Sequence, residues 1–192
     1  MNRRITLNIF SEASIKAAQK ELMDYKRSLA AKCETFVRKL SEAGIETAQV
    51  VLSSGKEENA GFGKYITFTT EVSPEKYGAS AIMVASNTGL ITAEWYISET
   101  QTTTADISPL LMAEFGSGLK AQENPRGPEF NMGTGTFPGQ THAEDPGGWW
   151  YKSAEDGEWY HSEGIKPLMP VDAAAQEMHK RITEIAKEVF GT

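Results

Sequence analysis

Apolar positions along the chain follow two periods, and their alternation divides it into elements. Ile5, Leu7 and Ile9 alternate with Thr6 and Asn8, which predicts a short half-buried strand. Ser11 or Ser14 can then cap a helix over residues 14–43. Its stripe is Ile15, Ala18, Leu22, Tyr25, Leu29, Cys33, Phe36 and Leu40, at steps of three and four. The opposite side carries Lys16, Lys20, Asp24, Lys26, Arg27, Lys32, Glu34, Arg38 and Lys39, a solvated face. Gly44 reads as the stop, with Ile45 folding back in a Schellman-type turn. A helix this long with one stripe packs across a sheet or against a neighbouring subunit.

The period then drops to two. Strands are predicted at 47–53 (TAQVVLS) and 65–72 (YITFTTEV), with the loop SGKEENAGFG between them. The loop glycines are not followed by the Gly-Lys-Ser/Thr that a phosphate loop needs. SPEKYG is a turn. Residues 81–86 and 90–98 flank Asn87-Thr88-Gly89, which reads as a hairpin turn. TQTTTAD follows as a polar connection. Ser108 and Pro109 open a short helix that Gly116 or Gly118 ends. From 116 to 148 the chain is rich in Gly, Pro, Asn and Thr and nearly free of aliphatic residues, a long excursion. Trp149, Trp150 and Tyr151 then face Trp159 and Tyr160 across Glu155-Asp156-Gly157, an aromatic β-hairpin. A two-stranded ribbon needs a surface to pack on, its own core or a partner.

The last stretch is an amphipathic helix. Pro170 suits its first turn, and Asp172 and Lys187 carry the signs that the helix dipole favours at each end. Val171, Ala175, Met178, Ile182, Ile185 and Val189 form its stripe, and Gly191 ends it. These elements predict an α+β fold in one domain over 1–192. An antiparallel sheet of about four strands is packed by the long N-terminal helix and the C-terminal helix, and residues 116–164 form an extended loop and aromatic arm.

Composition narrows the function. With 192 residues and 40% hydrophobic content, the chain can bury a real core. A net charge of −7 argues against a protein that binds nucleic acid by neutralising phosphates. Cys33 is the one cysteine, so no intrachain disulfide forms; it falls on the helical stripe and reads as packed. No apolar run reaches the ~18 residues of a membrane helix, and the start lacks the apolar core of a signal peptide. The expected compartment is the cytoplasm.

Candidate chemistry is thin. His142, Glu144 and Asp145 cluster, and His161 could approach them, but the spacing matches neither HExxH nor a Cys/His finger. Gly116-Ser117-Gly118 is not a nucleophile elbow. Glu155, Asp156 and Glu158 sit in a hairpin turn, where acidic residues are common. The expectation is therefore no catalytic residue, no metal and no cofactor. The aromatic ribbon could grip a carbohydrate or a protein partner as a small binding module; without a basic groove it does not suit single-stranded nucleic acid.

Three stretches in order carry a resemblance: AEFGSG (113–118), the aromatic hairpin (148–164) and KPLMP (166–170) leading into the last helix. With the long first helix and the sheet before them, they resemble the tail-component (gp-ten-like) family of long-tailed phages, placed among tail-completion and head–tail-joining proteins. The resemblance implies a structural virion protein with an α+β fold that acts through surfaces and not through catalysis. It would assemble as copies of itself in a ring at the neck or head-proximal end of the tail, against neighbouring neck or tail proteins. DNA would pass without specific binding, which the acidic charge suits. No membrane is involved, and the virion would be assembled in the host cytoplasm. The interface candidates are Trp149, Trp150, Tyr151, Trp159, Tyr160, Phe130 and Phe137, since aromatic residues are enriched where interfaces bury area.

Overall fold

The computed structural model describes residues 7–54, 61–98, 101–130, 145–153 and 156–191. The fold is α+β. Of the predicted first strand, Ile5 lies outside the described residues. Leu7 and Ile9 are exposed and not in a strand, because the Asn8 side chain accepts from the Phe10 N–H (3.0 Å) and turns the chain. Ser11 then caps the first helix: its hydroxyl accepts from the Ser14 N–H at 3.3 Å.

That helix, α1 (Glu12–Ser54), runs through the expected stop at Gly44 and absorbs the segment expected as a strand at 47–53. The reason lies in burial. Ser41, Gly44, Ala48 and Leu52 are buried at steps of three, four and four, a helical period that the β-branched run Val50-Val51 masks in the sequence. Gly44 is there for a close approach. A Cβ on it would come within 2.9 Å of Met178 Cγ.

A 3-10 turn, Phe62–Tyr65, leads into β1 (Ile66–Glu75), which pairs with β2 (Gly78–Asn87) as a two-stranded sheet. Asn87-Thr88-Gly89 is not a hairpin turn, since the next strand belongs to another sheet. Long-range bonds divert it. The Thr88 N–H donates to Tyr65 O at 2.7 Å, Asn87 Nδ2 donates to Ser108 Oγ at 2.7 Å, and Asn87 Oδ1 accepts from the Leu110 N–H at 2.8 Å.

The larger sheet contains β3 (Ile91–Ser98), β4 (Gln101–Ile107), β5 (Trp149–Ser153) and β6 (Trp159–Ser162), in the order β4-β3-β5-β6. All three pairings are antiparallel. The TQTTTAD segment, expected as a loop, supplies β4. Its threonines are β-branched and satisfy a strand while staying polar, and Thr102 and Thr92 donate to Glu94 and Asp106 at 2.7 Å. The sheet has the expected four strands, but their membership differs. The aromatic hairpin does not project as an arm: it is half of this sheet. Nor is it the long helix that packs at Ile107 and Trp149 on the sheet's inner face; Met112 of α2 (Pro109–Phe115) does so.

Ser108 caps α2, accepting from the Leu111 N–H at 3.2 Å, and Pro109 fills the first turn as predicted. Part of the expected structureless excursion is ordered into 3-10 turns at Gly118–Glu123 and Gly127–Phe130. The last helix, α3 (Pro170–Phe190), forms as expected, and of its predicted stripe Val171, Met178 and Val189 are partly buried and Ile185 buried. Ala174 and Ile185 are buried, while Ala175 and Ile182 face solvent.

Contacts group the chain into two units. One comprises Met1–Glu42, Thr70–Ile82 and Arg181–Thr192. Within it, Phe36 meets Phe190 with ring centroids 5.9 Å apart, and Lys39 pairs with Glu188. The other comprises Ala43–Thr69 and Met83–Lys180. Its core gathers Leu52, Phe62, Ile66 and Ala113, with Leu110, Ile165 and Leu168 against them.

Candidate functional site

The three stretches singled out by sequence, separated by up to tens of residues, meet in one place. α2 ends at Gly116, whose N–H returns to Met112 O at 2.8 Å. The Ala113 carbonyl accepts from both the Leu168 and Met169 N–H groups, at 2.8 and 3.1 Å. Ser117 is buried and forms an antiparallel bridge with Ile165: its N–H donates to Ile165 O at 2.9 Å, and the Ile165 N–H reaches Ser117 O and Oγ at 3.1 and 3.0 Å. Backbones this close leave no room for side chains. A Cβ on Gly116 would lie 2.5 Å from Ile165 O, and one on Gly148 2.1 Å from Ser162 O; both glycines also have positive φ.

Glu114 completes the junction. The chain position before α3 is Met169, at φ 59°, and its side chain offers no oxygen to cap the helix. Glu114 supplies two: Oε2 accepts from the Val171 N–H at 2.8 Å and Oε1 from the Asp172 N–H at 3.1 Å. Asp172, itself nearly buried, accepts from Arg126 Nη1 and from Gln176 Nε2, both at 2.6 Å. Buried Asn124 ties the 3-10 turns in, donating to Glu114 O at 2.9 Å and accepting from the Arg126 N–H at 2.8 Å. Burial, joined by the Asp172 charge, raises the Glu114 pKa above its ordinary value, outweighing the two N–H donors and Arg126. The Asp172 carboxylate in turn holds the Arg126 guanidinium still more firmly charged.

Sequence reasoning missed Glu114, Asn124, Arg126 and Asn87. One signal existed for Glu114. A helix beginning Met-Pro lacks Ser, Thr, Asp or Asn at its cap, so an acceptor has to arrive from elsewhere in the chain.

The aromatic candidates are divided between two sides of the sheet. Register pairs Trp149 with Ser162 and Tyr151 with Tyr160 on the inner side, and Trp150 with His161 and Lys152 with Trp159 on the outer. Trp149 is core, packed with Ile91, Ile107, Met112 and Tyr151. Trp150 is 57% exposed and lies 5.1 Å from the His161 ring, centroid to centroid. Lys152 Nζ stands 3.8 Å from Glu94 Oε2 on that face. Trp159 is half-buried. Tyr160 is exposed, and its hydroxyl donates to Asp156 Oδ2 at 2.7 Å. That bond raises the Tyr160 pKa and lowers that of Asp156. Phe130 ends a 3-10 turn, but its side chain, and all of Phe137, fall outside what is described.

Comparison with protein-family models, curated proteins and solved structures returns no match to this chain. The chemistry of the site therefore rests on geometry alone. Of the possible metal ligands, His142 and Glu144 lie outside the described residues, and His161 Nε2 is 2.7 Å from Gly147 O. Among the described residues no three His, Cys, Asp or Glu side chains are grouped to hold a metal. No helix of the described chain is long and apolar enough to cross a membrane.

A cavity of about 350 Å³ lies beside β6, bounded by Lys120, Tyr151, His161, Glu163 and Ile165. The junction has the character of a structural clasp: its polar groups are used on the protein itself. The outer sheet face, with Trp150, His161, Lys152 and Glu94, presents groups that can contact a partner.

Proposed function

We propose that this chain is a structural subunit of a tailed-phage or prophage virion, working at the head–tail junction or in tail completion through ring assembly and subunit contacts. One observation carries the reading. The three stretches on which the resemblance rests converge on one clasp, and each does a different mechanical job there. AEFGSG caps and bridges, the hairpin completes the sheet, and KPLMP starts α3. Motifs that interlock in this way make a coherent signature. A clasp whose polar groups are spent on the chain itself also suits a subunit that must hold its shape under load.

The test is electron microscopy of particles from a strain in which the gene is disrupted. Filled heads beside unjoined tails, or tails with irregular ends, are the expected result; normal infectious particles would refute the proposal.

A second reading has its own support. Exposed Trp150 beside His161, with Lys152 and Glu94 on the same face, suits a binding module that stacks a sugar or grips a protein loop. Tryptophan fluorescence on adding oligosaccharides checks it. A saturable shift lost in Trp150→Ala supports this reading, and no shift across a panel of neutral and acidic sugars removes its carbohydrate form.

A further inference from the structure

The first half of α1 carries an apolar stripe that its own unit leaves open beyond the buried Ala18. Further along, the same stripe is covered where Phe36 meets Phe190. Before that point every residue from 19 to 29 is exposed, including Leu22 at 56%, Tyr25 at 61% and Leu29 at 39%. A helical segment with water on all sides is marginal by itself, because helices draw most of their stability from packing an apolar face.

The spacing says what covers it. Ile15, Leu22 and Leu29 are seven residues apart, with Tyr25 at the intermediate core position between the last two; Ala18, at the other, is already buried within the chain, and Lys32 falls on the next one and ends the seam. Of the charges along this stretch, Lys16 is paired within the helix to Glu12 and Arg27 to Asp24. Glu21 and Lys26, which flank the seam on opposite sides, make no ion pair among the described residues. In a parallel helix pair these positions, five residues apart, meet across the interface, so Glu21 of each copy reaches Lys26 of the other. An antiparallel pair does not join them.

We propose that α1 pairs side by side and parallel with α1 of a second copy of this chain, through Ile15, Leu22, Tyr25 and Leu29. The choice of occupant rests on the assembly reading above; the register and direction rest on the helix itself. Fewer than three heptads bury less than the ~1,200 Å² typical of stable complexes, so the contact is weak and concentration-dependent in solution. A ring of copies held at a fixed site would make it effective.

The experiment is sedimentation velocity of the full chain over a concentration series, comparing wild type with Leu22→Glu, Tyr25→Glu and Trp150→Ala. Wild type and Trp150→Ala should associate alike, and both glutamate variants should associate about ten-fold more weakly or not at all, with unchanged circular dichroism. For direction, Leu29→Cys in a Cys33→Ser background should oxidise to a covalent dimer. Wild type that stays monomeric at every concentration, glutamate variants that associate like wild type, or a Leu29→Cys variant that fails to cross-link would each overturn the pairing. Loss of α1 pairing together with the neck phenotype would leave the assembly reading standing. Paired α1 with normal particles from the disrupted strain would do the reverse.

Discussion

The clasp around Ser117 and the first half of α1 invert the usual relation between regularity and constraint. α1 has the longest periodic pattern in the chain, and over residues 19–29 it is exposed on every side. The clasp has no periodicity, and its backbone groups approach so closely that a single added methyl cannot be placed. Regular patterning states that an element wants a partner surface. Irregular, glycine-spaced sequence states that backbone has already met backbone. The two regions should therefore respond to mutation in opposite ways.

The largest effect is expected at Gly148. Alanine there combines a positive φ with a Cβ 2.1 Å from Ser162 O, and should cost about 3 kcal/mol or more of stability. Urea denaturation measures it; a loss under about 1 kcal/mol would show that the clasp yields easily.

Next is Glu114→Ala, which removes both acceptors from the start of α3 and should cost about 1–3 kcal/mol. The pH dependence is a sharper probe. Because the Glu114 pKa is raised in the folded chain, the fold binds its proton more tightly than the unfolded chain does. That contribution is present below the unfolded value of 4.5 and is lost as pH rises through the folded value. Glu114→Gln should flatten this part of the stability profile, and urea midpoints taken across that window would show whether it does.

Arg126→Ala should follow, with a smaller loss than Glu114→Ala, by leaving the nearly buried Asp172 with Gln176 as its remaining side-chain donor. The guanidinium is partly exposed, so screening by solvent keeps the loss below that of the cap. Thermal melts of this variant and Glu114→Ala, run together, would rank the two. Smallest is Leu22→Glu, expected within about 0.5 kcal/mol of wild type for the isolated chain. A large loss of monomer stability there would erase the contrast between the two regions.

What can be read in advance follows the same division. α2 with its Ser108 cap, the aromatic hairpin and the body of α3 are legible because their signals are local. The run of α1 beyond Gly44 is not, since that glycine answers to Met178, more than a hundred residues away. The Asn87 turn looks like a hairpin by itself, but its amide bonds to Ser108 and Leu110 in another element. β4 is hidden by threonines that look like loop and pair like strand. Of the candidate site, the stretches are visible and their meeting is not: the residue that caps α3 lies 57 positions before the N–H it serves. The aromatic residues are visible as a group, but their division into core Trp149 and exposed Trp150 needs the sheet register.

The Ser117–Ile165 bridge also has a consequence for how this chain can vary. It fastens together two points 48 residues apart, and so closes a large loop that carries both 3-10 turns after α2 and the strands β5 and β6. Closing a loop depends only logarithmically on its length, with each doubling costing about 0.6 kcal/mol. Losing the bridge at either Ser117 or Ile165 would therefore release the whole closure at once, so a substitution at one of these two positions acts on every element between them.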